Sequence, residues 1–287
     1  MTKLQYKLTN DILFKMLFVK YPELLKKLVA ELLSIQYTDI KQFEIRNQEI
    51  PSETIGDKFC RLDINMEVNG QRVDLEIQVE NEGNYPERSL FIWAKEFSTG
   101  ISEGQDYVLL PRTIIISILG FKQFSDPNKF HSEFQVLEVS SHEPLTDKCV
   151  LHFFELPKVA GVSSGVSHDQ SKISKDVDEV CEKELWLKLF KAETEEELQN
   201  IERLGVETMT EAVKAYRHVS ASNEFKEIER IRSKARHDEA QALRNAERKA
   251  IEKNDLKWQS IMADAVADVA AEKDAIIEQL KAQLASK

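Results

Sequence analysis

Two acidic side chains, Asp63 and Glu76, with an amide two residues beyond, Gln78, form the spacing with the clearest chemical consequence in this chain. Leu62, Ile64, Met66 and Val68 alternate with Arg61, Asp63, Asn65 and Glu67. After Asn69-Gly70 the alternation resumes, with Val73, Leu75, Ile77 and Val79 set against Arg72, Asp74, Glu76 and Gln78. Asn-Gly between two such runs predicts a β-hairpin closed by a two-residue type I′ loop, since both central residues must take positive φ. That loop fixes the register: Glu67 faces Arg72, Asn65 faces Asp74, Asp63 faces Glu76, and Arg61 faces Gln78. The polar set shares one side of the hairpin, the apolar set the other, and Glu67–Arg72 is a favourable cross-strand charge pair.

Directly opposed residues have Cβ atoms ~4.5–5.5 Å apart, where like charges repel. Two carboxylates held that close share a proton, splay into water, or take a cation between them. Mg²⁺ is usually held by one or two carboxylates, with waters and substrate phosphates completing its shell. Such an ion lowers the pKa of a bound water and neutralises charge at a scissile phosphate. The Gln78 amide can orient an attacking water but supplies no positive charge. The same alternation also suits a hairpin with one solvated face, on which acidic residues are ordinary.

The elements that must position this hairpin are legible on both sides of it. Thr9 or Asn10 can cap a first helix, where Asp11 suits the positive end and Ile12, Phe14, Leu17 and Phe18 form an apolar stripe. Pro22 opens a second helix, continued by Leu24, Leu25, Leu28, Val29, Leu32 and Leu33. Pro86 starts a third, from Glu87 to about Thr99. The run from Arg112 to Gly120, with Ile114, Ile115, Ile116 and Ile118, reads as a strand covered on both faces. Strand, helix and buried strand predict a right-handed βαβ crossover. Phe134–Val139 and Val150–Leu156 read as further strands, and His152 as a strand residue. Tyr107, before the buried strand, reads as a packing residue. Gly161–Ser167 is a loop. Beyond it the spacing predicts helices over Glu182–Phe190, Glu195–Leu204, Glu207–Val219 and Asn223–Lys287. Met262, Val266, Val269, Ile276 and Leu280 place a stripe on the last, as in a short coiled coil. The expected organisation is a core over 1–160, a linker over 161–181, a helical region over 182–255 and a helical tail over 256–287.

Composition narrows the class. With 287 residues, 42% hydrophobic and 31% charged, and only 9 Gly and 7 Pro, the chain is neither collagen-like nor wholly disordered. No window reaches the ~18 unbroken apolar residues of a membrane span. Three distant cysteines, Cys60, Cys149 and Cys181, fit neither a disulfide framework nor a zinc site, and predict a reducing, cytoplasmic setting. The formal charge of −11 argues against a general nucleic-acid coat, though not against local phosphate contacts aided by a metal. Basic residues between Lys226 and Lys257 are interleaved with acidic ones, as on a solvated helix face, with a DNA-contacting arm as the alternative.

Helix, hairpin bearing Asp then Glu-x-Gln, helix, buried strand resembles the PD-(D/E)xK nuclease fold. The segments Asp11-Ile-Leu-Phe-Lys15-Met-Leu-Phe18, Leu62-Asp63-Ile64, Glu76-Ile-Gln78, Glu87-Arg88-Ser-Leu-Phe-Ile-Trp93, Gly104-Gln-Asp-Tyr107 and Ile114-Ile-Ile-Ser-Ile-Leu119 look like those of the Rpn family. So does His152-Phe-Phe-Glu-Leu-Pro-Lys158. These are recombination-promoting nucleases, also described as transposases, and the likeness spans about residues 4–255. It implies an α/β nuclease core plus a helical C-terminal region. It also implies a bacterial DNA endonuclease, associated with recombination or transposition, that uses Mg²⁺ (or Mn²⁺ or Ca²⁺). Asp63 and Glu76 would be its metal ligands. Gln78 stands where the wider superfamily carries lysine, and Asp11 is an acidic position that could approach the site. Arg88 could touch phosphate, although a solvated residue in a first helical turn is equally ordinary. The partners expected are DNA and a further copy of the chain through its C-terminal helices, with no membrane. The rival reading is a nuclease fold retained as a DNA- or protein-binding module.

Overall fold

A computed structural model describes residues 2–46, 64–160 and 181–285. Among these, six strands form one sheet: β1 (Phe43–Ile45), β2 (Ile64–Val68), β3 (Gln71–Gln78), β4 (Thr113–Leu119), β5 (His131–Gln135) and β6 (Cys149–Glu155). They lie in the order β1-β2-β3-β4-β6-β5. β1, β2 and β3 are antiparallel, β3, β4 and β6 parallel, and β5 returns antiparallel to β6. The helices are α1 (Asp11–Lys20), α2 (Pro22–Leu33), α3 (Tyr85–Ser98), α4 (Glu182–Lys191), α5 (Glu195–Arg203), α6 (Glu207–Ala221) and α7 (Asn223–Ala285). This mixed sheet with flanking helices is the α/β, nuclease-like arrangement that the resemblance implies.

The hairpin has the expected register, with Glu67 opposite Arg72 and Asn65 opposite Asp74. Asn69 (φ 50°) and Gly70 (φ 75°) both occupy the left-handed region, as a type I′ loop requires. The Asn69 side chain also ties the loop to the chain ahead of β1: its Oδ1 accepts from the backbone of Lys41 and Gln42, and its Nδ2 donates to the Asp39 carbonyl. Arg61, Leu62 and Asp63, placed by the sequence on the first strand, lie outside the described residues. So does the loop expected at Gly161–Ser167.

Alternation along the strands splits the core in two. Ile64, Met66, Val73, Leu75, Ile114, Ile116, Ile118, Val150 and Phe154 face a large apolar layer containing residues of α1, α2, α4, α5 and α6. Its centre is aromatic: Phe18 lies against Phe14, Trp186 and Phe190, with ring centroids 5.1, 6.0 and 6.3 Å away. The opposite face carries a smaller cluster, in which Ile115, Leu119, Leu151 and Phe153 meet Tyr85, Ile92 and Trp93 of α3. The chain divides into two compact units, Met1–Arg230 and Ile231–Lys287, and α7 runs from one into the other. Among the described residues no helix is long and apolar enough to cross a membrane.

Two local readings need correction, and a third needs a detail added. The third helix starts at Tyr85, one residue before Pro86, so proline occupies its second position. The strand expected at Phe134–Val139 is displaced to His131–Gln135, because the chain from Val136 turns back on itself through Leu137 opposite Pro144. Glu67 faces Arg72 and favours its charge, as expected, without a contact ion pair. Arg72 instead donates to the carbonyls of Glu96 and Thr99 and to the Thr99 hydroxyl, closing the C-terminal end of α3.

Candidate functional site

The polar side of β3 is roofed by α3, not open to water. Asp74 is 3% exposed and Glu76 4%, so the solvated-face reading fails for these two acids. Residues two apart in a strand share a face, which places both carboxylates, and Gln78 after them, along one side of β3.

Tyr85, the first residue of α3, reaches that line. Its hydroxyl lies 3.0 Å from Glu76 Oε2 and 3.0 Å from Ser117 Oγ. Ser117 sits directly opposite Glu76 in the β3–β4 register. A carboxylate only accepts, so the Tyr85 proton goes to Glu76 and the Ser117 hydroxyl donates to Tyr85. Burial, and secondarily the charge of Glu76, push the phenol well above its ordinary titration range, so it remains a donor. Phe121 and Phe153 pack edge-on against its ring.

Gln78 closes the strand. Its Nε2 donates to the Glu80 carbonyl at 3.0 Å, and its Oε1 accepts from Arg88 Nη1 at 3.2 Å. Behind it, Gly120 N donates to the Gln78 carbonyl at 2.8 Å. A Cβ on Gly120 would sit 2.9 Å from the Val79 carbonyl oxygen, so only glycine lets β4 leave the sheet this close to β3. At the other end Trp93 Nε1 donates to the Thr113 carbonyl. With the Arg72 clamp, this holds α3 over the acids at both ends.

Asp11 opens α1 on a separate element. Asn10 caps the helix through Leu13 N, and Asp11 Oδ1 accepts from Ile12 N at 3.0 Å. Lys15, one turn on, is 2% exposed. The structure therefore brings Glu76, Gln78 and Arg88 together, with Asp11 placed on α1. Asp63, and with it the Asp63–Glu76 separation, lies outside the described residues. Tyr107, expected to pack, is 79% exposed. Its 3-10 turn is held by polar groups instead: Asp106 caps it, and Lys148 Nζ bonds the carbonyls of Val108 and Leu110.

The sequence reading passed over Tyr85 and Ser117 as site residues, and gave Asp74 no role. One signal was present for the tyrosine. It begins a helix a short loop after Glu76, so the returning chain must pass the carboxylate.

As a cation site the donor set is of the right kind. The carboxylate oxygens of Asp74 and Glu76 suit a hard ion, which needs as few as one or two protein carboxylates when waters and phosphates complete its shell. Among the described residues, no group of three or more His, Cys, Asp or Glu side chains is arranged to hold a metal. No curated protein and no solved structure matches the chain. A family model described as PD-(D/E)XK nuclease family transposase matches residues 8–246.

Proposed function

The chain belongs to the PD-(D/E)XK nuclease family transposases, and from that premise we propose a divalent-metal-dependent DNA endonuclease that hydrolyses phosphodiester bonds during recombination or transposition. The observation that carries this reading is Glu76, a carboxylate almost fully buried in mid-sheet and supported by a tyrosine and a serine. Burying a charge is costly, and a fold that fixes one has committed it to a partner.

Glu76 and Asp63 would hold Mg²⁺, or Mn²⁺ or Ca²⁺ in its place. Bound there, the cation supplies an acidified water and offsets charge at the scissile phosphate. Tyr85 keeps one Glu76 oxygen in a fixed direction. Gln78, anchored through Glu80 and Arg88, presents its amide where an attacking water can be oriented. Asp11 is assigned a supporting acidic role from the first helix. Plasmid nicking with Mg²⁺ or EDTA tests the assignment. Asp63→Ala and Glu76→Ala, with unchanged circular dichroism, are expected to lose at least ~10²-fold in rate, the scale of removing one electrostatic support. Cleavage equal to wild type in both variants rules it out.

The rival, a binding module that self-associates, draws on α7. Trp258, Met262, Val266, Val269, Ile276 and Leu280 are all more than half exposed along it. A second copy laid against that stripe would cover them in the manner of a coiled coil. Sedimentation should show concentration-dependent oligomers that vanish when residues 258–287 are removed. A tail-deleted chain that associates as before excludes this role.

A further inference from the structure

We infer that Arg88 is the cation that grips the scissile phosphate. This rests on the nuclease reading above and names the group in that site that meets the substrate's charge. The acids of β3 repel a phosphodiester, and Gln78 at the end of their line is neutral. A site that accepts DNA there needs a positive group within reach of the same strand.

Arg88 is placed for it. It projects from the first turn of α3, and its Nη1 reaches Gln78 Oε1 at 3.2 Å. Its guanidinium carbon stands 5.8 Å from the centre of the Tyr85 ring, and that tyrosine is bonded to Glu76. Among the described residues, the guanidinium makes this one hydrogen bond and no ion pair. One donor of five is used, on an uncharged partner, and among those residues the charge is met only by the face of the Tyr85 ring, so four donors remain for a phosphate.

Its position sharpens the inference. A cation in the first turn of a helix opposes the positive end of the dipole, a location that favours anions. Asn84, ahead of α3, gives no side-chain cap. The exposed Glu87 of the same turn offsets part of the helix-end field, and the guanidinium supplies the positive charge that attracts a phosphate. A merely solvated arginine would turn away from the helix end into water. This one is half-buried and lies across the end of β3. The planar fork also suits two phosphate oxygens at once, which an ammonium cannot match.

The test compares wild type, Arg88→Ala, Arg88→Lys, Arg88→Ala/Gln78→Lys and Glu76→Gln. Single-turnover cleavage of a DNA duplex is read in Mg²⁺, and equilibrium binding is read in Ca²⁺ across a salt series. Arg88→Ala is expected to lose roughly 10²–10³-fold in cleavage and to flatten the slope of log K against log salt by about one phosphate contact. Arg88→Lys should fall between the two. A lysine at 78 should recover at least tenfold in the Arg88→Ala background, returning a charge to the same spot. If Arg88→Ala cleaves like wild type with an unchanged slope while Glu76→Gln is dead, the inference fails and the nuclease reading stands. If wild type and Glu76→Gln do not differ, the nuclease reading fails, and an unchanged slope then overturns the arginine contact as well.

Discussion

The two faces of one sheet are built on opposite rules. On one, side chains of β2, β3, β4 and β6 merge with those of α1, α2, α4, α5, α6 and the start of α7 into a continuous apolar layer, where Phe14, Phe18, Trp186 and Phe190 interlock. On the other, a single helix covers two acids, a serine and a glutamine beside a smaller apolar cluster, held by hydrogen bonds at each end. The first face is redundant, because many contacts share each load. The second is specific, because each polar group depends on one or two partners. The apolar face should therefore set stability and the polar face chemistry.

The largest effect should come from Phe18→Ala. Truncating a fully buried aromatic ring costs about 3–5 kcal/mol, read as a shift of the urea midpoint, while the surviving folded fraction cleaves DNA as before. If cleavage fell much further than folding, the two faces would not be separable.

A smaller effect concerns the edge of the apolar side. His131 Nε2 lies 3.0 Å from His152 Nδ1, and His131 stacks on Phe154 with ring centroids 4.2 Å apart. Burial lowers the pKa of both, that of His152 to about 4; Glu133 opposes the lowering at each, Lys183 adds to it at each, Lys129 adds to it at His131, and His131 and Arg112 add to it at His152. The unfolded chain then binds more protons, so the contribution is whole above pH 6.5 and is lost as pH falls towards 4. The loss is on the order of 2–3 kcal/mol, and His152→Gln should flatten that part of the stability–pH curve. An unchanged curve would show that this pair does not govern acid sensitivity.

The smallest change in stability, and the sharpest contrast, is expected from Tyr85→Phe. Losing the hydroxyl removes its two buried hydrogen bonds, to Glu76 and Ser117, at a net cost of about 1–2 kcal/mol. Metal affinity by calorimetry should nevertheless drop severalfold, because Glu76 loses its orienting donor. Unaltered affinity would reduce Tyr85 to packing.

How far the sequence foretold each face follows the same division. The hairpin, the buried strand β4 and the helices after Glu182 were legible because period, Asn-Gly and proline are local signals. The capping box at Thr194 and Glu197 is local too, and it marks the start of α5. β1 escaped because three residues, Phe43–Ile45, hold no periodicity, and pairing with β2 creates the strand. The roof over Asp74 and Glu76 was not legible. Alternation describes which side a residue faces, not what lies above it, and Tyr85 and Ser117 reach Glu76 only through the crossover. Arg72 shows the same limit: its opposite number was read correctly, but a helix terminus supplied better acceptors.

The bend between β2 and β3 also bears on how the molecule ages. An asparagine followed by glycine is ordinarily the quickest site of spontaneous deamidation, since the next peptide nitrogen swings freely onto the side-chain carbonyl carbon. Here three bonds to the segment before β1 pin that amide, and the left-handed backbone of both residues is fixed by strand pairing. The folded hairpin thus shields its own weakest covalent link, and conversion to aspartate or isoaspartate reports how often the loop opens.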